Sequence, residues 1–205
     1  MNSAIFIRAA EAYVALLGQI RPEQWDRPGL GAWTVRSLAG HTARAIITVE
    51  NYVSIEAPST ATLPTAEAYY AAIATTSPNP ADAAAVEARG VAAGEWLGSD
   101  PVARVADVLA RVRELLASET EDRIVTVIGG LSIPLTEYLR TRVFELVVHS
   151  IDLSRATGLP SGLTRDALDS AAALASAIAV SRGDGEELLL ALTGRTRLPE
   201  RFSVV

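Results

Sequence analysis

An all-α bundle carrying one short β-hairpin and extra C-terminal helices is the fold this sequence predicts. Three observations predict it. Apolar residues recur at intervals of three and four along most of the chain, strand-like alternation is confined to one segment, and prolines and glycines cut the chain into helix-length pieces. At 205 residues and 49% hydrophobic content, the chain can bury one substantial core.

The first helix is predicted over residues 2–20, with Ile5, Ala9, Ala12, Leu16 and Ile20 as its apolar stripe. Pro22, Pro28, Gly29 and Gly31 then mark a loop over 21–33, and Trp25 and Trp33 anchor it. Thr34 is an N-cap for a second helix reaching residue 56, with Leu38, His41, Ala45, Thr48 and Tyr52 facing inward. A short helix over 65–74 and a loop over 77–80 follow. Two more helices are expected at 81–97 and 101–118; in the second, Asp100 caps and Pro101 takes the first helical position. Residues 123–128 alternate as a strand, and Gly129-Gly130 turns them back along 131–134 as a hairpin capping one end of the bundle. The longest helix runs over 136–157, with Gly158 as C-cap and Pro160 beyond it. Helices at 163–182 and 186–192 complete the chain, and an irregular tail starts at Thr193.

Composition removes several kinds of chemistry. There is no cysteine, so disulfides, thiolate ligands and a protein-borne thiol nucleophile are excluded. All 18 basic residues are arginine, which excludes a Schiff-base or phosphate-loop lysine. With a net charge of -6 and no clustered arginines, neither nucleic acid nor an anionic membrane is expected as a partner. The N-terminus lacks a basic leader, and no apolar run approaches the roughly 18 residues of a spanning helix, so a cytoplasmic location is expected.

The chain's two histidines, His41 and His149, lie on different predicted helices. Along 136–157, Arg142, Glu145, His149 and Asp152 follow at spacings of three, four and three, a polar seam in a helix otherwise rich in valine and leucine. Glu145 and His149 stand one turn apart on one face, and an imidazole from a neighbouring helix completes a two-histidine, one-carboxylate set. Such a set suits zinc, nickel, iron or manganese and leaves coordination positions open for water or an external thiol. The competing reading is purely structural: Arg142 pairs with Glu145, and His149 is a neutral hydrogen-bonded core residue. Asp152 is either an acceptor that orients a ligand histidine or a charge at the surface end of the seam. Arg142 is a candidate for gripping a substrate carboxylate or for pairing with Glu145.

The segment Ala32-Trp33-Thr34-Val35-Arg36-Ser37-Leu38-Ala39-Gly40-His41 resembles the Gly-Trp-Thr-Val-Arg-Asp-Leu-x-x-His signature of the DinB-like superfamily, in its mycothiol-dependent maleylpyruvate isomerase branch. Serine stands at position 37 where that signature has aspartate. Arg142-x-x-Glu145-x-x-x-His149-x-x-Asp152-Leu153 is similar to the second half of the branch's pattern, and Ala191-Leu192-Thr193-Gly194-Arg195-x-x-Leu198-Pro199 to a motif near the end of many members. The resemblance implies a DinB-like four-helix bundle over residues 1–158, with 159–205 as a helical extension packed on it. It further implies a divalent metal, zinc first, held by His41, Glu145 and His149. The implied co-substrate is mycothiol or a similar small thiol, added to an electrophile such as maleylpyruvate in an isomerase or S-transferase reaction. No catalytic residue beyond the metal site is implied. The competing functions are a metal-dependent hydrolase and a non-catalytic metal- or ligand-binding bundle, and a homodimer is compatible with the apolar helical surface.

Overall fold

The computed structural model describes residues 2–76, 80–120 and 122–205, with backbone alone for residues 75, 76 and 80–84. Among these residues the chain forms helices α1 (Asn2–Leu17), α2 (Val35–Val53), α3 (Ala66–Thr76), α4 (Pro80–Trp96), α5 (Pro101–Ser118), α6 (Leu135–Thr157), α7 (Arg165–Ser181) and α8 (Gly185–Leu192). Strands β1 (Pro28–Leu30) and β2 (Trp33–Thr34) form one antiparallel ladder, and β3 (Ile124–Thr126) and β4 (Ser132–Pro134) another. The expected all-α fold with a short hairpin and extra C-terminal helices is what the chain adopts; the loop expected at 77–80 lies mainly outside the described residues.

Helices α1, α6, α2 and α5 pack in that cyclic order as a four-helix bundle. The buried face of α1 is Phe6, Ala9, Ala10, Tyr13, Leu16 and Leu17, turned by about one residue from the predicted stripe. Tyr13 accounts for the turn: its ring is fully buried, and its hydroxyl donates to the Ala39 carbonyl of α2 at 2.6 Å. Burying a phenol is tolerable once the O–H has an acceptor. Helix α2 is buried nearly all round, because α5 and α6 flank it inside the bundle and α4 lies across its outer side.

The predicted caps form. Thr34 accepts from the Ser37 N–H at 3.2 Å, Asp100 from the Ala103 N–H at 3.0 Å, and Gly158 closes α6 in the left-handed region at φ 73°. Two predictions need correction. The 21–33 loop contains the β1–β2 ladder, which alternation could not reveal in so short a stretch; Gly29 lies where a side chain would run into the Thr34 carbonyl, at 2.7 Å. The hairpin is also wider than a two-glycine turn: residues 127–131 connect the strands, with Gly129 and Gly130 both at positive φ and the Val127 N–H donating to the Leu131 carbonyl at 2.7 Å.

Outside the bundle, α3 and α7 lie against α6, and α4 crosses α2 at very close range. A Cβ on Gly40 would sit 2.2 Å from the Ala93 carbonyl carbon and the Gly94 nitrogen, so only glycine admits this crossing. Gly40→Ala must push α4 off α2. It is expected to destabilise the protein by about 1–3 kcal/mol in urea unfolding, and an unchanged midpoint would show that the helices do not cross this closely.

Candidate metal centre

Helices α2 and α6 run antiparallel, and the facing rows meet twice. Near the carboxyl end of α2, Tyr138 donates its hydroxyl to Thr48 at 2.8 Å and its ring lies 5.5 Å from that of Tyr52. Toward the amino end of α2, His41 meets α6 at His149, ring centroids 4.9 Å apart and edge to face. One ligand atom each from His41, Glu145 and His149 lies within 4.8 Å of the others. The pair singled out by spacing and the histidine that the resemblance adds to it are thus brought together.

Each is held by groups outside the trio. Asp152 faces His149 Nδ1 at 3.2 Å, while His149 Nε2 lies 3.3 Å from Glu145 Oε2. Asp152 therefore orients the imidazole, one of the two roles its spacing allowed. The other oxygen of Glu145, Oε1, accepts from the Tyr70 hydroxyl at 2.8 Å. The carboxylate is divided between a phenol on one side and the histidines on the other. Tyr70 had no motif to mark it. It reaches Glu145 because α3 is pinned to α6: Glu137 accepts from the Ala66 N–H at 2.9 Å, and Arg140 bridges Glu137 and Glu67 at 2.6 and 2.9 Å.

The expected pairing of Arg142 with Glu145 is not what forms; among the described residues no ion pair joins them. Side chains on a helix lean toward its amino end. Arg142 accordingly lies over Tyr138, one turn back, with its guanidinium carbon 4.8 Å from the ring centre and 5.7 Å from that of Tyr69, and its Nε donates to Thr141 Oγ1 at 3.0 Å. It acts on Glu145 through space. Its other candidate role, gripping a substrate carboxylate, has no direct counterpart in these contacts.

The charges follow from these contacts. Burial pushes the Glu145 carboxyl up, but the His149 hydrogen bond and the Arg142 charge outweigh it and hold the pKa at about 2. Burial pushes His149 down, yet its hydrogen bonds to Asp152 and Glu145 carry it to about 9. His41 has no such carboxylate bonds: burial and the His149 charge lower it to about 4. Its imidazole is neutral at pH 7, and Nδ1 is buried without a hydrogen-bond partner. Trp33 covers the His41 ring with centroids 4.5 Å apart and donates Nε1 to the Glu87 carbonyl of α4 at 3.2 Å. Gly90 makes room for it, since a Cβ there would meet the indole at 2.5 Å.

Two imidazoles and one carboxylate, with a ring nitrogen of His41 buried and unpartnered, form a donor set that suits a borderline divalent cation. Residues 6–154 match the model of the mycothiol maleylpyruvate isomerase N-terminal domain family. No curated protein and no solved structure gives a significant match.

The raised pKa of His149 has a measurable consequence. Its stabilising pairs are fully present below about pH 6.5 and are lost as pH rises through about 9. With no cysteine and no lysine, few other groups titrate in that interval. Chelator-treated protein is therefore expected to have a lower urea midpoint at about pH 9 than at about pH 6, and His149→Gln to abolish most of the difference. Equal wild-type midpoints would contradict the pairing.

Proposed function

The chain belongs to the mycothiol maleylpyruvate isomerase N-terminal domain family, and on that premise we propose that it is a metal-dependent enzyme that presents an external thiol of the mycothiol kind to a small electrophile. His41, Glu145 and His149 are the residues that would hold the metal, zinc first, with nickel, iron or manganese as alternatives. The observation that carries this reading is the convergence of three ligand atoms from two helices within 4.8 Å.

A metal in this set supplies Lewis acidity that makes thiolate available near neutral pH. The chain's own residues do the positioning. Asp152 fixes the His149 ring through Nδ1, which leaves Nε2 for the cation. Tyr70, kept neutral because burial and Glu145 raise its pKa well above the ordinary tyrosine range, holds Glu145 Oε1 and leaves Oε2 on the histidine side. Arg142 places a positive charge near the carboxylate and keeps it ionised. The Trp33 ring packs against His41 and restricts that imidazole. Three protein ligands leave room for an external ligand, and the absence of cysteine from the chain means that the thiol comes from outside. The reaction is either transfer of that thiol to an electrophile or cis–trans isomerisation of a compound such as maleylpyruvate by thiol addition, rotation and elimination.

Metal analysis of purified wild type, His41→Ala and His149→Ala, with thiol binding measured in parallel, tests the reading. Wild type is expected to hold one divalent ion per chain and to bind thiol only when loaded. Each variant is expected to lose at least about tenfold in metal affinity. Wild type that retains no more metal than the variants overturns the assignment, and ester or amide hydrolysis without added thiol favours a metal-dependent hydrolase instead.

A further inference from the structure

Glu145 also borders a cavity of about 1070 Å³, walled by Tyr69 and Tyr70 of α3, Ile178 of α7 and Ile128 and Leu131 of the β3–β4 connection. That volume lies just above the range of about 300–1000 Å³ usual for small-molecule sites. The Glu145 side chain keeps 24% of its surface accessible, although it stands among buried residues of α6. Accessible surface at that depth is surface on a cavity.

The walls say what the cavity can hold. Ile178 is buried, Leu131 half-buried, and Ile128, 55% exposed, is a large aliphatic side chain that contributes little to the core. The phenol of Tyr70 is already engaged with Glu145. Arg89 and Arg182 also border the cavity, but most of its lining is apolar and removes water from a ligand without replacing its hydrogen bonds, which rewards an alkyl or aryl body. A compact dicarboxylate leaves most of this volume unfilled.

We propose that this cavity is a binding pocket for a small molecule with an extended apolar body, its polar and reacting end lying at Glu145. Under the proposed function the occupant is the electrophile, so the chain's own substrate is bulkier and more apolar than maleylpyruvate. This identification rests on the reading of His41, Glu145 and His149 as the reactive centre; the pocket itself does not require bound metal.

Calorimetric titration of metal-free protein with n-alkanols from 1-butanol to 1-octanol, with maleate for comparison, tests it. Saturable one-site binding is expected, tightening about fourfold for each added methylene. Ile128→Asp lies in the hairpin connection, away from His41 and His149 and largely outside the core, and is expected to weaken 1-octanol binding at least tenfold while circular dichroism and urea midpoint stay as in wild type; Leu131→Ala, at the half-buried wall, is expected to weaken it as well, with some loss of urea midpoint. Octanol binding that ignores chain length, maleate binding as tight as 1-octanol, or variants that fold and bind like wild type overturn the proposal. If chain-length dependence is found in a protein that takes up no metal, the pocket stands and the reactive-centre reading fails. If metal and thiol are taken up but binding shows no chain-length dependence, the reactive centre stands and the apolar pocket fails.

Discussion

Helix α6 carries Arg142, Glu145 and His149 into an apolar bundle, and the cost of burying charge governs the architecture around them. An ionised side chain removed from water needs hydrogen bonds and an opposing charge close by, or it must discharge. Arginine cannot discharge, so Arg142 is met by the faces of Tyr138 and Tyr69 and the hydroxyl of Thr141. Glu145 is shared between Tyr70 and His149, and His149 between Glu145 and Asp152. His41 follows the other route and remains neutral.

Two of these partners, Tyr69 and Tyr70, come from outside the four-helix bundle, which gives its peripheral elements a purpose beyond coverage. Helix α3 brings Tyr69 and Tyr70, and its own amino end is fixed by Glu137 and Arg140 of α6. Helix α4 supports the Trp33 ring that lies on His41, and it does so across a crossing that Gly40 and Gly90 keep open. On the far side, Arg123 of the β3–β4 hairpin region donates to the Val53 and Ile55 carbonyls at 2.9 and 2.6 Å, tying down the end of α2. Gln24 does the same for α6, donating to the Thr157 carbonyl at 2.9 Å. The facing rows of α2 and α6 are thereby held at both ends.

Much of this was legible in the linear sequence where the governing interaction is local. The Thr34 and Asp100 caps, the Gly158 stop and the one-turn alignment of Glu145 with His149 depend on residues within a few positions of one another. The β1–β2 ladder was not legible, because a three-residue strand has too little alternation to read. Nor was the separation of Arg142 from Glu145: at a spacing of three, an ion pair and a lean toward Tyr138 are both open to the side chain, and only the aromatic ring on the preceding turn decides between them.

What the sequence by itself determined is the all-α class, the position of each main helix to within a few residues, and the chemistry of the seam on α6, since periodicity, capping and side-chain type act over one or two turns. Only the tertiary structure decided that His41 reaches His149, that Tyr70 grips the second oxygen of Glu145, and that Glu145 opens onto an apolar cavity. Those contacts join residues up to 108 positions apart in the chain, from His41 to His149. They are set by how closely helices pack, and glycines such as Gly40 and Gly90 reveal that role only when the opposing backbone or ring is in place.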